Sequence, residues 1–168
     1  MRLNILGTVA LLLIGPLCEG GSAQQVRTLV IMLERESDVF QTSPEYRISI
    51  FVDGTVIFEG KKHVISKEPI RTKIDKEQLA NLLAEFERIK YYSLHDRYTA
   101  SEDGCSLRRT DHAFATTTLK LGGKKKSIVH YYGCLEEGRP DVVFPQALYK
   151  LEAKIDEVVN AKQWVEKY

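Results

Sequence analysis

Apolar and polar positions follow regular periods along most of this chain, and those periods predict its elements. The almost unbroken apolar stretch at 26–33 predicts a strand that is covered on both faces. Residues 34–44 are polar and rich in turn formers, so they predict a loop. Alternation over 46–52 and a strand pattern over 55–60 predict a hairpin around Asp53-Gly54, because both of these residues tolerate the positive φ of a two-residue turn.

A two-residue turn fixes which residues of this first hairpin should oppose each other. Val52 should face Thr55, and Ile50 should face Ile57. Residues 61–70 should continue as a less regular edge segment, because the proline near its end cannot donate to a strand ladder.

The clearest helix of the sequence begins after Asp75. The Asp75 carboxylate can accept from free amides of the first turn, and Gln78 can reach back to form a capping box. Ile74 and Leu79 have the spacing of a hydrophobic staple across the same turn. One face of the following turns is apolar, at Leu79, Leu82, Leu83, Phe86 and Ile89.

A second hairpin is predicted around Gly122-Gly123, between strand patterns at 113–121 and 124–132. A two-residue turn at the glycines fixes the register, whereas a three-residue turn would shift every pair. The expected pairs are Leu121 with Lys124, Thr117 with Ile128 and Ala115 with His130.

An apolar stripe near the end of the chain marks a last amphipathic helix, at Leu148, Leu151, Ile155 and Val158. Pro145 is tolerable in its first turn, and Trp164 should pack back on the core. The element order is therefore β-β-β-α-β-β-α, without the alternation typical of a parallel sheet. The sequence predicts an α+β fold, in which an antiparallel β-sheet of about five or six strands carries both amphipathic helices on one face.

Composition places the chain of 168 residues among ordinary globular proteins, with 43% hydrophobic and 28% charged residues. The formal net charge of +1 gives no electrostatic reason to bind nucleic acid, and the Lys124-Lys125-Lys126 run is too narrow to provide one. Beyond the N-terminal region, no apolar stretch reaches the length of a transmembrane helix. We therefore expect neither nucleic acid as a partner nor a transmembrane segment in the mature chain.

The first residues have the pattern of a signal peptide. Arg2 precedes an apolar run at 5–17, and Gly21-Ser22-Ala23 offers small residues for cleavage. We therefore expect a signal peptide at 1–23 and a single α+β domain at 24–168. The expected location is the periplasm or the outside of the cell.

The interpretation of the cysteines depends on this leader. Cleavage would remove Cys18 and leave Cys105 with Cys134, which in an oxidising compartment most often form a structural disulfide. Closing a loop of this size would contribute roughly 3–4 kcal/mol in the chain-entropy model. A redox or nucleophilic role and free or intermolecular thiols are the alternatives. A lipoprotein anchored through Cys18 is the alternative to cleavage, although Leu17 fits poorly before an acylated cysteine.

A catalytic alternative groups Asp111, His130 and Cys134. The predicted register places them with Tyr132 on one face, and they have the composition of a thiol nucleophile, its base and an orienting carboxylate. A cysteine in a disulfide cannot attack a substrate, and the chain has no Cys-x-x-Cys motif. We therefore expect no catalytic centre, with a hydrolase or thiol enzyme that uses these three residues as the alternative.

Neither a metal nor a cofactor is predicted, because the four histidines are scattered without ligand spacing. Tyr92, Tyr131 and Tyr132 are candidates for a binding surface, because tyrosine is amphipathic and loses little entropy on contact. The expected function is a non-catalytic interaction with a protein, a peptide or an envelope component. A secreted inhibitor is a further alternative, by fold-level analogy alone.

Several segments together resemble a bacterial family of exported proteins, the domain-of-unknown-function family 6438. The segments that carry this resemblance are Tyr46 to Gly60 (YRISIFVDGTVIFEG), Thr110-Asp111-His112, Ser127 to Cys134 (SIVHYYGC), Leu151-Glu152 and Ile155-Asp156-Glu157. Their order and spacing span nearly the whole mature chain. The resemblance implies a fold but no activity. Many members carry a cysteine-rich loop that ends in Cys-Pro before the second strand, whereas this chain has Ser43-Pro44, so a role for that extra cysteine pair does not transfer.

Overall fold

A seven-stranded sheet with two helices makes up most of residues 28–166, which are the residues that the computed structural model describes. The predicted leader at 1–23, including Cys18, lies outside the described residues. The α+β class is confirmed. The predicted sheet of five or six strands and its β-β-β-α-β-β-α order are wrong in detail, because the large sheet has seven strands and a second sheet has three.

The elements have the following bounds. The large sheet contains β1 (Leu29–Glu36), β2 (Glu45–Phe51), β3 (Thr55–Lys62), β4 (Ile70–Lys73), β5 (Arg97–Tyr98), β7 (Phe114–Leu121) and β8 (Lys124–Tyr131). The small sheet contains β6 (Leu107–Arg108), β9 (Cys134–Glu136) and β10 (Arg139–Val143), and the α-helices are α1 (Lys76–Arg88) and α2 (Gln146–Val159). The large sheet has the order β4-β3-β2-β1-β7-β8-β5, and its pairings are antiparallel except that β5 runs parallel to β8.

Short strands account for the difference from the predicted order. β4, β5, β6, β9 and β10 have two to five residues each, which is too few to show a period in the sequence. The segment predicted as one irregular edge over 61–70 is divided, since β3 continues to Lys62 and β4 begins directly after Pro69. β1 also extends through Glu36 into the predicted loop, because its ladder with β2 continues from Glu34 opposite Arg47.

The register of the first hairpin differs from the prediction by one residue, since Ile50 lies opposite Val56 rather than Ile57. The connection uses three residues, 52–54, and Gly54 takes a φ of +76° at its end. The Asp53 carboxylate accepts from the Thr55 amide at 3.0 Å and from the Thr55 hydroxyl at 2.9 Å. A three-residue loop of this kind places its left-handed residue last, so the predicted two-residue turn was wrong.

The second hairpin matches the prediction. Gly122 and Gly123 have φ values of +58° and +77°, as a two-residue turn of this type needs. The three predicted pairs are observed: Leu121 with Lys124, Thr117 with Ile128 and Ala115 with His130.

Both helices contribute to one core with a single face of the sheet. α1 and α2 contact each other, and their buried side chains join a continuous apolar cluster with those of the strands. The capping box of Asp75 and Gln78 is confirmed, with the Gln78 amide donating to Asp75 at 2.7 Å. Trp164 also packs as predicted, with its ring 4.9 Å from that of Phe58. No helix within residues 28–166 is long and apolar enough to cross a membrane.

Replacing Gly54 should destabilise the fold through a steric overlap. A Cβ at Gly54 would run into the carbonyl oxygen of Ile74, whereas one at Gly122 would meet nothing within 4 Å. Asparagine tolerates a positive φ, so Gly54→Asn and Gly122→Asn differ mainly in this overlap. We expect Gly54→Asn to lower the free energy of unfolding by about 1–3 kcal/mol and Gly122→Asn to change it by less than about 0.5 kcal/mol, as measured by urea denaturation. Equal losses would contradict the packing of Gly54 against Ile74.

Candidate functional site

One row of side chains across the helix-covered face of the sheet is polar. Tyr46, Arg35, Ala115 and His130 lie opposite one another in turn across β2, β1, β7 and β8. Directly opposed residues project from the same face of a sheet, so the four side chains form a line. The neighbouring row is almost wholly apolar, at Phe58, Ile48, Leu33, Thr117 and Ile128.

Helix α2 provides acidic partners for this polar row. Glu152 and Asp156 are one turn apart on the helix, so both project toward the same side. Glu152 is fully buried and lies in line with the apolar residues Leu148 and Ile155. A carboxylate in such a place is costly unless it is hydrogen-bonded, and the sheet below supplies the donors.

His130 and Glu152 form a buried pair. Nδ1 of His130 lies 2.9 Å from Oε2 of Glu152, and Nε2 lies 3.1 Å from the carbonyl oxygen of Phe144. The Tyr132 hydroxyl donates to the same Oε2 at 2.9 Å, and the Thr117 hydroxyl donates to Oε1 at 3.1 Å. A carbonyl only accepts, so Nε2 donates to Phe144, and Nδ1 is hydrogen-bonded to the Glu152 carboxylate. Neither ring nitrogen therefore offers a free lone pair.

Arg35 and Asp156 form the second pair of the site. The guanidinium donates from Nε and Nη2 to Oδ2 of Asp156, at 3.2 and 2.5 Å, and the Tyr46 hydroxyl donates to Oδ1 at 2.8 Å. Burial is the largest effect on Arg35 and opposes its charge, but Asp156, Tyr46 and Glu152 together outweigh burial and raise the arginine pKa above its ordinary value. Burial, together with the same carboxylate, raises the pKa of Tyr46 above its usual range.

Tyr132 connects the two pairs. Its ring lies 5.1 Å from the ring of His130, and the guanidinium carbon of Arg35 lies 5.4 Å from its centre. Ala115 occupies the position between Arg35 and His130 in the polar row, where its small side chain leaves room. The two hydrogen-bonded pairs and Tyr132 therefore form one network between α2 and the sheet.

The network opens to the surface in a cleft with a volume of about 380 Å³. The residues that line it include Arg35, Tyr46, Phe114, Tyr132, Tyr149 and Asp156. Tyr149 packs edge-on against Tyr132, with the ring centres 5.1 Å apart, and is 39% exposed. We call this opening the Arg35 cleft.

Asp111 is not part of this network. Its side chain is exposed and accepts from the Thr110 hydroxyl at 2.9 Å, while His130 contacts Glu152 instead. The predicted register, which placed Asp111 and Cys134 on one face with His130, does not extend this far, because the β7–β8 ladder stops at Phe114 and Cys134 pairs with Arg108 in the small sheet. Asp111 has a φ of +65°, so the chain turns at this point and does not extend β7.

Cys105 and Cys134 lie at disulfide distance, with their Cα atoms 5.3 Å apart. Both residues are buried, with Cys134 at the start of β9 in the small sheet and Cys105 in the loop before β6. The loop that carries Cys105 is more ordered than its polar sequence indicates. Asp103 is buried there and accepts from the amides of Thr99 and Ala100 at 2.9 Å each.

The three candidate tyrosines occupy different places. Tyr131 is buried on the sheet face opposite to His130, and its hydroxyl donates to the carbonyl of Arg109 at 2.6 Å. Tyr132 lines the Arg35 cleft. Tyr92 is 39% exposed and lines a separate, more apolar groove of about 280 Å³ that also contains Leu83, Phe86, Leu119 and Leu121.

Sequence reasoning missed Arg35, Tyr46, Glu152 and Asp156 as site residues. Arg35 continues the alternation of Ile31 and Leu33 into a position that should be apolar. Glu152 likewise occupies a position within the apolar stripe of the last helix. The signal in the sequence was a charged residue at a position that the period of its element reserves for the core. This signal could have identified both Arg35 and Glu152.

The comparison with known families decides where the chain belongs. A family profile described as "Domain of unknown function (DUF6438)" matches residues 29–159. The chain is a member of this family. No curated protein and no solved structure matches it significantly.

The DUF6438 match covers every element of the site, from Arg35 in β1 to Asp156 in α2. The family resemblance of the sequence included the segments around Glu152 and Asp156, which the structure places against the polar row. Among residues 28–166, no three His, Cys, Asp or Glu side chains are grouped in a way that could hold a metal ion.

Removing the Glu152 carboxylate should strongly destabilise this DUF6438 domain. Glu152→Ala would leave two buried groups, on His130 and Thr117, and the half-buried hydroxyl of Tyr132 without their partner. Breaking a buried pair in this way costs on the order of 3–5 kcal/mol. Glu157→Ala on the exposed side of α2 removes only a surface contact with Lys154 and should cost less than about 1 kcal/mol. Urea denaturation of both variants checks the difference, and similar losses would contradict the proposed importance of the buried network.

Proposed function

We propose that this protein is an exported, non-catalytic binding module that recognises a protein, a peptide or an envelope component in the Arg35 cleft. The observation that carries this proposal is the contrast between two sets of groups. The groups suited to catalysis are engaged or separated, whereas Tyr132 and Tyr149 line an open cleft beside one unbonded nitrogen of Arg35.

The hydrogen bonding of His130 argues against a role as a general base. A base must accept a proton through a free lone pair, and both ring nitrogens of His130 are engaged with Glu152 and Phe144. Cys134 is fully buried at disulfide distance from Cys105, so its sulfur is not positioned as a nucleophile. Asp111 lies in a separate exposed turn. These placements support binding over the hydrolase or thiol-enzyme alternative.

The Arg35 cleft has the properties of a recognition site. The Nε and Nη2 atoms of Arg35 are held by Asp156, while Nη1 makes no hydrogen bond within residues 28–166 and is reachable by solvent. Asp156 thus fixes the guanidinium in advance, which lowers the entropy lost when a ligand oxygen accepts from Nη1. Tyr132 and Tyr149 supply apolar area beside this donor.

Export is supported by the cysteine pair. Two buried cysteines at disulfide distance suit an oxidising compartment, and the leader pattern of the sequence predicts such a destination. The environment that allows the disulfide also removes the thiol of Cys134 from chemistry. The proposed location and the proposed lack of a reaction therefore support each other.

A pair of tyrosine variants tests the binding site. Tyr149 in the cleft and Tyr92 in the apolar groove are both 39% exposed, so Tyr149→Ser and Tyr92→Ser are matched in exposure and chemistry. We expect the mature protein to capture a component of an envelope extract, with the Kd for that purified component weakened at least tenfold by Tyr149→Ser and unchanged by Tyr92→Ser. Equal binding by both variants would contradict recognition in the cleft.

The same preparation tests the enzymatic alternative. Native, unreduced protein should show no iodoacetamide label at Cys105 or Cys134 by mass spectrometry, and labelling should appear only after reduction in denaturant. A label at Cys134 in the native state would overturn the non-catalytic proposal and favour a thiol enzyme.

A further inference from the structure

The outer edge of β8 is only partly covered. β8 pairs with β7 along its whole length, but on its other side β5 pairs only with Val129 and His130. Within the described part of the chain, no backbone-to-backbone hydrogen bond reaches this outer side before Val129. Residues 124–128 therefore form an open edge at one end of the seven-stranded sheet.

The alternation along β8 identifies the backbone groups that point outward from this edge. The Val129 amide donates to the carbonyl of Asp96 at 3.0 Å, so the backbone polar groups of Val129 face away from β7. In a regular strand, the backbone amide and carbonyl groups of successive residues point alternately to its two sides. The β7–β8 register has no shift over this stretch. The amides and carbonyls of Lys125 and Ser127 therefore also face outward, while those of Lys124 and Lys126 face β7.

The surroundings of the open edge are strongly basic. Residues 119–128 contain four lysines and no acidic residue. Lys126 is paired with Asp96 at 2.6 Å, whereas Lys120, Lys124 and Lys125 are exposed and form no ion pair within residues 28–166. The positive charge of this edge is therefore not balanced by its neighbours.

We propose that the open edge of β8 accepts an extended acidic segment of a partner protein as an added strand. The outward amides and carbonyls of Lys125 and Ser127 would pair with the backbone of that segment, and the lysines would pair with its carboxylates. This proposal concerns a surface other than the Arg35 cleft, so it stands or fails independently of the proposed function.

The positive charge of the lysines also favours one kind of partner at the β8 edge over others. Lysines on a sheet edge repel a second copy of the same edge, which disfavours self-association through β8. An acidic strand satisfies both the unpaired backbone groups and the unpaired lysines. An anionic lipid surface would satisfy only the lysines, so the backbone groups distinguish a peptide from a membrane.

Hydrogen exchange on the full mature chain tests the added strand directly. The probe is an eight-residue peptide that alternates glutamate and valine, with both ends blocked; the control peptide alternates lysine and valine. With the acidic peptide, we expect the amides of Lys125 and Ser127 to exchange at least tenfold more slowly, while those of Lys124 and Lys126 stay unchanged. The lysine peptide should have no effect.

Variants separate the backbone contribution from the charge. Lys125→Pro removes one outward donor and its charge, and an edge position tolerates proline. Lys125→Ala removes only the charge, as does Lys120→Ala on the internal strand β7. We expect Lys125→Pro to weaken peptide binding at least tenfold more than Lys125→Ala, with Lys120→Ala no worse than Lys125→Ala.

Several outcomes would overturn this proposal. Uniform protection of all four amides, binding without protection at Lys125 and Ser127, or an equal response to the lysine peptide would each exclude an added acidic strand. Binding to phosphatidylglycerol vesicles through the lysines, without any response to the acidic peptide, would assign the edge to a membrane instead. The exchange pattern of the unmodified chain decides the question even where Lys125→Pro fails to fold.

Discussion

The pairing of two acidic residues on α2 with the polar row of the sheet determines how this domain is assembled. Removing a carboxylate from water costs several kcal/mol unless donors replace the lost hydration. Glu152 and Asp156 find such donors above His130, Tyr132, Arg35 and Tyr46, and Glu152 also accepts from Thr117. In the adjacent row, Thr117 is the one residue with a side-chain donor, whereas Leu33 and Ile48 offer none. The apolar stripe of α2 would tolerate several positions on the sheet, but the two acids restrict it to one.

The polar row in turn depends on the strand register. Side chains alternate between faces, so a slip of one residue in β1 or β8 would move Arg35 or His130 to the face away from α2. The connections at 52–54 and Gly122-Gly123 set the registers of the two hairpins, and the β1–β7 ladder joins them. The turns and the buried network therefore favour the same arrangement, which is the agreement between local and global preferences that folding requires.

The sequence was informative where a local rule decides the structure. Gly122-Gly123 and the Asp75 capping box depend on neighbouring residues, and both were predicted correctly. The Asp53-Gly54 connection was predicted one residue too short, since Asp-Gly suits both a two-residue and a three-residue loop. β5 was missed because its partner β8 lies about 30 residues away along the chain and two residues carry no period. Glu152 was missed for a similar reason, since its partners lie on other elements.

The two surfaces of this domain differ in how their charges are balanced. In the network below the Arg35 cleft, Arg35 is paired with Asp156, and His130 is hydrogen-bonded to Glu152. The proposed recognition in the cleft would rest on shape, aromatic contact and one directed donor, all of which respond weakly to salt. The β8 edge carries lysines without acidic partners, so any contact with it must weaken as salt rises. The fold thus pairs opposite charges in the network under α2 and leaves charge unbalanced where a strand remains unpaired.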